Sequence, residues 1–190
     1  MILNVDFALK LSKYTSLKRF VCLIRILKNL SIKHGTDKYQ HGFIDVYEPL
    51  MVTHKDEIFN FLEIGVFFGS SIEMWNEYFT NAKIFGIDTF EGNQGNGTKF
   101  ANSSKYYDEW KNKNLSKIQL HKYDQSSEND LESFVSYCKK ENLKFKIILD
   151  DGSHVMRDQQ ITFEILFDLV EDGGYFIIED SHSSDQYPYY

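Results

Sequence analysis

Two acidic clusters in this sequence have the residue types and the spacing of a metal-assisted catalytic site. The first is Leu149-Asp150-Asp151-Gly152-Ser153-His154, which ends an apolar, strand-like run over residues 145–149. The second is Glu179-Asp180, which follows another apolar run. About one helix and one strand of chain separate the clusters, so the sequence predicts that they lie at the ends of neighbouring parallel strands.

The carboxylates of these clusters are candidate ligands for a divalent cation. Asp151, Glu179 and Asp180 offer hard oxygen donors with no cysteine nearby, which favours an octahedral Mg²⁺ ion over zinc. Such an ion, when it chelates two vicinal hydroxyls, lowers the pKa of the hydroxyl that reacts. An imidazole can accept the released proton near neutral pH, and His154 is the candidate. The competing interpretation is that these acids cap helices or solvate strand ends.

Strand-like and helix-like segments alternate from residue 59 onwards. The predicted strands are apolar runs bounded by turn residues, at 59–64, 83–87, 117–123, 145–149 and 175–178. The predicted helices lie between them, at 71–79, 105–113, 129–142 and 156–170, the last closed by Gly173-Gly174. This alternation predicts an α/β fold with a doubly wound, mainly parallel, Rossmann-like sheet that binds ligands at the carboxyl ends of its strands.

The turn after the first predicted strand narrows the choice of cofactor. It reads Glu63-Ile64-Gly65-Val66-Phe67-Phe68-Gly69-Ser70-Ser71 and lacks the G-x-G-x-x-G spacing that seats a dinucleotide pyrophosphate, which disfavours NAD. The turn resembles the first motif of class I S-adenosylmethionine-dependent methyltransferases. In that motif Gly65 and Gly69 would let the backbone approach the ligand, and Ser70 and Ser71 at a helix N-terminus would receive the methionine carboxylate.

The next two strand ends carry polar residues in the same register. Asp88 stands where a carboxylate would accept hydrogen bonds from two ribose hydroxyls. Asp124 and Gln125 stand where such methyltransferases hold the edge of the adenine. The three strand ends together predict S-adenosyl-L-methionine as the cofactor.

Longer motifs are similar to the metal-dependent sugar O-methyltransferases of macrolide antibiotic biosynthesis, of the mycinamicin and macrocin type. They occur over about residues 34 to 185 and include Thr36-Asp37-Lys38, Glu63-Ile64-Gly65, Gly86-Ile87-Asp88, Asp124-Gln125-Ser126, Leu149–His154, the helix at 159–167 and the run 173–182. The resemblance implies Mg²⁺ at Asp151, Glu179 and Asp180, with His154 as the general base. It also implies a saccharide-type small molecule as the substrate.

The same resemblance assigns the remaining site residues. It places S-adenosyl-L-methionine against Glu63, Asp88, Asp124 and Gln125. From its position next to Asp151, we group Asp150 with the cofactor-binding residues, behind the metal ligands. It moves Asp37, Lys38 and His41 from a solvated connector to the rim of the active site. His182 is implied to be either a supporting group or a substrate contact.

Composition sets the bounds on the whole chain. Its 190 residues, 42% of them hydrophobic, suffice for one sizeable core, and the net charge of −7 argues against a general nucleic-acid binder. Two cysteines without metal-ligand spacing indicate a reducing compartment, and we expect a cytoplasmic location.

The first 33 residues form a basic, amphipathic, helix-like segment ahead of a methyltransferase domain at 34–190. Its basic residues, set against the single acid Asp6, are Lys10, Lys13, Lys18, Arg19, Arg25 and Lys28. We favour a helix that packs on the domain or on a second subunit over one that contacts a membrane surface.

The end of the sequence departs from the pattern of the class. Methyltransferases of this class continue past the fifth strand with a helix and an antiparallel strand pair, whereas the sequence stops at Tyr190. We therefore expect a sheet that lacks this pair and whose fifth strand is an edge. A truncated gene product, a homo-oligomer or partner that completes the edge, and a domain that binds the donor without efficient turnover are the three explanations.

Two classes of function follow from these residues. The first is a Mg²⁺-dependent O-methyltransferase that acts on a sugar hydroxyl of a saccharide, a glycolipid or a glycosylated metabolite. The second is a non-catalytic or partner-dependent S-adenosylmethionine-binding protein with a truncated methyltransferase fold.

Overall fold

A five-stranded parallel sheet forms the centre of the computed structural model, which describes residues 26–92, 103–112 and 117–181. The strands, in chain order, are β1 Asn60–Ile64, β2 Lys83–Asp88, β3 Ile118–Lys122, β4 Phe145–Asp150 and β5 Val170–Ile178. Their order across the sheet is β3-β2-β1-β4-β5, and every pair is parallel. The chain therefore starts in the middle of the sheet and builds outwards in both directions, which is the doubly wound arrangement.

Helices cover both faces of this sheet. In chain order they are α1 Ile26–His34, α2 Phe43–Met51, α3 Ser70–Tyr78, α4 Ser103–Asn112, α5 Glu128–Lys140 and α6 Met156–Leu166. Short 3₁₀ turns lie at Asp37–Tyr39, Val52–His54 and Phe167–Leu169. No helix in the described ranges is long and apolar enough to cross a membrane.

Two hydrophobic clusters, one on each face, hold the layers together. On one face Trp75 and Tyr78 of α3 pack with Phe61 of β1 among the side chains of α1 and α2. On the other face Phe134 of α5 and Leu166 of α6 pack on the sheet. Apolar residues in succession along β1, β2 and β4 reach both faces, which is why these strands read as continuous apolar runs in the sequence.

The predicted alternation of strands and helices is confirmed, with one difference at the last strand. Gly173-Gly174, predicted to close the preceding helix, lie inside β5 instead. Helix α6 ends at Leu166, and β5 already begins at Val170, which pairs with Phe145. The register shifts before Ile147 pairs with Tyr175, because Gly173 at φ +69° lets the strand bulge.

The described part of the basic N-terminal segment packs on the domain. Helix α1 lies against α3, and Leu27 in α1 is fully buried. The Leu27 amide donates a 2.9 Å hydrogen bond to the buried carboxylate of Glu48 in α2, which places an anion at the N-terminal end of α1. Residues 1–25 lie outside the described ranges, so the division at 33/34 and the remainder of the segment stay predictions.

Candidate active site

The carboxyl ends of β1, β4 and β5 are joined by backbone hydrogen bonds. The amide of Asp151 donates to the carbonyl of Ile64 at 2.9 Å, and the amide of Glu179 donates to the carbonyl of Asp150 at 2.8 Å. Because β4 and β5 pair directly, the two acidic clusters meet at one edge of the sheet, as their spacing in the sequence predicts.

Three side chains converge at this edge into what we call the acidic cluster, Asp151, His154 and Asp180. One ligand atom from each lies within 4.8 Å of the other two. The His154 ring stands between the two carboxylates, with Nε2 at 3.9 Å from Asp151 Oδ1 and Nδ1 at 3.8 Å from Asp180 Oδ2. The carboxylate side chains are 21% exposed and the imidazole 37% exposed, so the cluster borders the solvent.

Unusual backbone conformations mark the same edge. His154 and Asp180 have φ values of +58° and +52°, and Phe67 and Phe90, after β1 and β2, have φ values of +51° and +53°. Left-handed conformations are unfavourable for residues other than glycine and are concentrated at functional sites. At His154 and Asp180 the surrounding turns thus hold side chains that the sequence singles out for chemistry.

The donor set of the acidic cluster fits a divalent cation. Asp151 and Asp180 supply the hard oxygen atoms that Mg²⁺ prefers, and their partial exposure leaves room for water or substrate oxygens. Glu179, the third predicted ligand, lies next in the chain to Asp180 but is 2% exposed. Its Oε1 accepts hydrogen bonds from Lys38 Nζ at 2.8 Å and from the Tyr47 hydroxyl at 2.7 Å.

Lys38 links the acidic cluster to the first strand. Its ammonium is 1% exposed and contacts three carboxylates: it donates to Asp151 Oδ2 and Glu179 Oε1, and it lies 3.4 Å from Glu63 Oε1. We call this group of Lys38, Glu63, Asp151 and Glu179 the buried ion nest. Thr36 caps the 3₁₀ turn that carries Lys38, because its hydroxyl accepts a hydrogen bond from the Lys38 amide.

The electrostatics of the ion nest are dominated by burial. Burial alone would lower the pKa of Lys38, but the three carboxylates outweigh this effect and raise that pKa, so the ammonium stays charged. The Lys38 ammonium does not fully offset the burial of Glu63 and Glu179. Burial therefore raises the pKa of Glu63 to about 7 and that of Glu179 to about 8, with Lys38 opposing both shifts.

The turn after β1, predicted to bind the donor, packs tightly against the β4 turn. Gly65 has φ +88°, and a Cβ atom placed on it would lie 2.1 Å from the carbonyl oxygen of Asp151, so only glycine fits. Gly69 caps α3, whose first residues are Ser70 and Ser71. The Ser71 hydroxyl donates to Glu63 Oε2 at 2.7 Å, so this side chain is already engaged by the protein.

Asp88 organises the same turn from the end of β2. Its Oδ2 accepts the amides of Val66 at 2.9 Å and Phe67 at 2.8 Å, and its Oδ1 accepts the amide of Phe90 at 2.7 Å. The carboxylate thus fixes the path of the backbone beside the predicted ribose position.

Gln125 and Asp150 form a buried pair beneath the β4 turn. Gln125 Nε2 donates to both carboxylate oxygens of Asp150 at 2.7 and 2.8 Å, and Gln125 Oε1 accepts the Ser153 amide at 2.8 Å. Burial raises the pKa of Asp150 to about 7, although the hydrogen bonds from Gln125 oppose the shift. Asp124, one residue earlier, accepts the amide and hydroxyl of Ser126 and shapes the turn after β3.

Two functional residues escape sequence reasoning in whole or in part. Lys38 was expected at the rim, yet it is buried, while Asp37 and His41 beside it are 73% and 51% exposed. Tyr47 was recognised only as part of a helical pattern, and it donates to Glu179. The one available signal was the apolar period of Ile44, Tyr47 and Met51, which marks the buried face of α2. His182 lies outside the described ranges.

The fold and the strand order define the class of protein. A parallel sheet of order 3-2-1-4-5, with a glycine turn after the central strand and acidic residues at the strand ends, is the class I S-adenosylmethionine-dependent methyltransferase fold. None of the protein-family models matches the chain.

The chain is homologous to the sugar O-methyltransferases of the mycinamicin and macrocin type. It is 30% identical over 163 residues to the 8-demethyl-8-(2-methoxy-alpha-L-rhamnosyl)-tetracenomycin-C 3'-O-methyltransferase of Streptomyces olivaceus. The matched region covers 81% of this chain and 36% of that protein. It is 25% identical over 167 residues to the L-olivosyl-oleandolide 3-O-methyltransferase of Streptomyces antibioticus, covering 83% and 38%.

Solved structures agree with these relatives. The MycE methyltransferase from the mycinamycin biosynthetic pathway, in complex with Mg, SAH and mycinamycin VI, superposes with a TM-score of 0.64 at 25% identity. The match covers 83% of this chain and 39% of MycE. The chain thus spans little more than a third of the length of these relatives.

Proposed function

We propose that the chain is a Mg²⁺-dependent O-methyltransferase that uses S-adenosyl-L-methionine to methylate a hydroxyl group of a sugar. The observation that carries this proposal is the convergence of Asp151, His154 and Asp180 within 4.8 Å at the carboxyl edge. The Gly65 turn, which resembles the donor-binding turn of the class, packs against the backbone of Asp151. The homology to sugar O-methyltransferases, and the Mg and SAH of the MycE complex, support the same assignment.

In this proposal the metal ligands are Asp151, Asp180 and Glu179. The first two lie in the acidic cluster, and the resemblance to the macrolide enzymes supplies the third. Bound Mg²⁺ would lower the pKa of the substrate hydroxyl, and bound S-adenosyl-L-methionine would supply the methyl group. His154, at 3.9 Å from Asp151 and partly exposed, is positioned to accept the hydroxyl proton.

The proposed donor site uses the carboxyl ends of β1, β2 and β3. Gly65, Gly69, Ser70 and Ser71 would form its backbone cradle at the start of α3. The polar residues proposed around the rest of the donor are Glu63, Asp88, Asp124, Gln125 and Asp150. In the structure several of them hydrogen-bond to the protein itself, so we assign them to shaping the donor site as well as to contacting the donor.

A saccharide-type small molecule is the proposed acceptor. The similar proteins act, by their names, on rhamnosyl and olivosyl groups of secondary metabolites. A cation that chelates two vicinal hydroxyls matches the chemistry of a sugar diol, because the reacting hydroxyl needs both activation and positioning.

Calorimetric titration followed by a transfer assay tests the function. We expect the chain to bind S-adenosyl-L-methionine, to bind Mg²⁺, and to transfer radiolabelled methyl groups to at least one member of a panel of rhamnosides and other glycosides only when Mg²⁺ is present. Binding of the donor without transfer to any diol would favour the non-catalytic binding protein instead. Transfer that persists in excess EDTA would contradict the role of the metal.

A further inference from the structure

The buried ion nest contains a positive charge that the proposed chemistry does not use. Lys38 comes from a short turn between α1 and α2, while its partners come from the ends of three different strands. Its ammonium is 1% exposed, and Glu63 and Glu179 are 0% and 2% exposed. A lysine is almost never buried this fully unless it is paired, so the pairing is a built feature of the fold.

Asp151 belongs both to the ion nest and to the acidic cluster. Its Oδ2 accepts a hydrogen bond from Lys38, and its Oδ1 faces His154 at 3.9 Å. One oxygen of the Asp151 carboxylate therefore contacts the buried ammonium, and the other faces the partly exposed acidic cluster. Removing the charge of Lys38 therefore changes the electrostatic environment of Asp151, which is also part of the acidic cluster.

We propose that Lys38 is a positioning residue: an internal counter-ion that holds the carboxylates of Asp151 and Glu179 in place without a metal and weakens the attraction of the acidic cluster for a divalent cation. The part that concerns the cation rests on the proposed function. The part that concerns the carboxylates rests only on the contacts of Lys38.

The charges explain why both effects follow from one residue. Three carboxylates lie within 3.4 Å of a single ammonium, and the attraction of each to this ammonium offsets the repulsion among them. The same ammonium repels any second cation that approaches Asp151. Tyr47, which also donates to Glu179 Oε1, holds that carboxylate in place but carries no charge.

The matched variants are Lys38→Met, Lys38→Arg and Lys33→Met. Lys38→Met keeps an unbranched side chain that is one atom shorter and removes the charge, and Lys38→Arg keeps the charge. Lys33→Met removes the same charge from an exposed ion pair with Glu77 and is the control. For each full-length variant, the unfolding midpoint is measured in EDTA and in saturating Mg²⁺, and the Kd for Mg²⁺ is measured by calorimetry.

We expect Lys38→Met to lower the unfolding midpoint in EDTA by about 10 °C, because it leaves buried carboxylates without their counter-ion. Saturating Mg²⁺ should raise the midpoint of this variant more than that of the parent chain. The Kd for Mg²⁺ should fall about tenfold, since the repulsion from the ammonium is gone. Lys38→Arg and Lys33→Met should both bind Mg²⁺ like the parent.

Several results would overturn the proposal. An unchanged midpoint of Lys38→Met in EDTA would show that Lys38 does not hold the carboxylates. An unchanged or larger Kd for Mg²⁺ in a folded Lys38→Met chain would show that it does not weaken cation binding. If Lys38→Met does not fold under either condition, the double variant Lys38→Met/Glu179→Gln decides. Recovery of folding through the loss of one carboxylate supports the counter-ion, and failure to recover contradicts it.

The proposed function and this inference fail in different ways. If the parent chain binds no Mg²⁺ by calorimetry, the metal-dependent function is wrong, while the midpoints in EDTA still test the counter-ion. If the parent binds Mg²⁺ and Lys38→Met matches it in both midpoint and Kd, the function stands and Lys38 has no such role.

Discussion

The carboxyl edge of the sheet has two halves that treat their polar groups differently. In the half built by β1, β2 and β3, Glu63 accepts a hydrogen bond from Ser71, Asp88 accepts three from backbone amides, and Gln125 donates across to Asp150 at the end of β4. In the half built by β4 and β5, Asp151, His154 and Asp180 converge and stay 21% to 37% exposed.

The contrast separates shaping from chemistry. Polar groups of the first half are tied to the protein, so their main effect is to fix the turns that would surround a donor. In the second half, Asp150 and Glu179 are also buried and tied to the protein, and only the acidic cluster of Asp151, His154 and Asp180 is partly exposed. A ligand can therefore change the charge and contacts of this cluster. Substitutions in the acidic cluster, a substitution where the two halves touch, and a change of pH test this division.

Asp151→Ala is expected to have the largest effect, because Asp151 serves both the acidic cluster and the ion nest. We expect methyl transfer to fall by more than about 1,000-fold and Mg²⁺ binding to be lost. Radiolabel transfer and calorimetry measure the two effects. The control is Asp172→Ala, an exposed aspartate of β5 that should leave both unchanged. Retained Mg²⁺ binding in Asp151→Ala would remove this residue from the proposed metal site.

His154→Ala should impair the methyl-transfer step without affecting donor binding. We expect kcat to fall by about a hundredfold to a thousandfold through loss of the proton acceptor, while the Kd for S-adenosyl-L-methionine stays near that of the parent. His34→Ala, which breaks a hydrogen bond to Glu77 between α1 and α3, is the control. Donor binding that weakens in parallel with kcat would mean that His154 also shapes the donor half.

Gly65→Ala tests how closely the two halves approach each other. A Cβ atom there would lie 2.1 Å from the Asp151 carbonyl oxygen, so we expect the free energy of unfolding to fall by about 3 kcal/mol or more. Gly35 has a similar φ of +70° with nothing within 4 Å of the added atom. Gly35→Ala should therefore cost only about 1 kcal/mol, the penalty of the backbone conformation. Equal losses in urea unfolding would mean that the turns can move apart.

The mildest perturbation is a change of pH, which alters no residue but changes the stability of the folded chain. Burial raises the pKa of Glu63 and Asp150 to about 7 and of Glu179 to about 8, from ordinary values of 4.5, 3.8 and 4.5. Between about pH 4 and pH 8 the folded chain then binds more protons than the unfolded chain, so its stability falls as the pH rises. In EDTA we expect the unfolding midpoint to drop by more than about 10 °C from about pH 5 to about pH 8, because three groups each lose stability over two to three pH units.

A variant of Glu48 shows whether the pH dependence of the unfolding midpoint comes from the carboxyl edge of the sheet or from α1. Burial also raises its pKa to about 7, although it lies at the end of α1. Glu48→Gln keeps an oxygen for the Leu27 amide and removes the titration, so the larger part of the slope should remain. A flat profile in Glu48→Gln would assign the pH dependence to α1 rather than to the edge.

Periodicity and spacing predicted the fold and the meeting of the two acidic clusters. Apolar runs that end in Asp88, Asp150 and Glu179 carry enough information to set the strands and their carboxyl ends. The meeting of Asp151 and Asp180 follows from the interval between β4 and β5, because adjacent parallel strands end at the same edge.

The burial of the Lys38 side chain could not be predicted from periodicity or spacing. Its sequence neighbours are exposed and it belongs to no periodic element, so its burial depends on three carboxylates that are distant in the chain. The left-handed backbone of His154 and Asp180 is likewise a product of tertiary packing, since neither residue type requires it. Glycine at position 65 was predicted to admit a ligand, and its nearest neighbour in the structure is the Asp151 backbone.

The sequence separations within the ion nest have a consequence for folding. Lys38 lies 113 positions from Asp151 and 141 from Glu179, so the chain must close two long loops before the ammonium meets its partners. A partly folded chain without β5 would bury a lysine with fewer carboxylates, or leave the turn that carries it undocked. The ion nest therefore couples docking of the turn that carries Lys38 to the formation of β5.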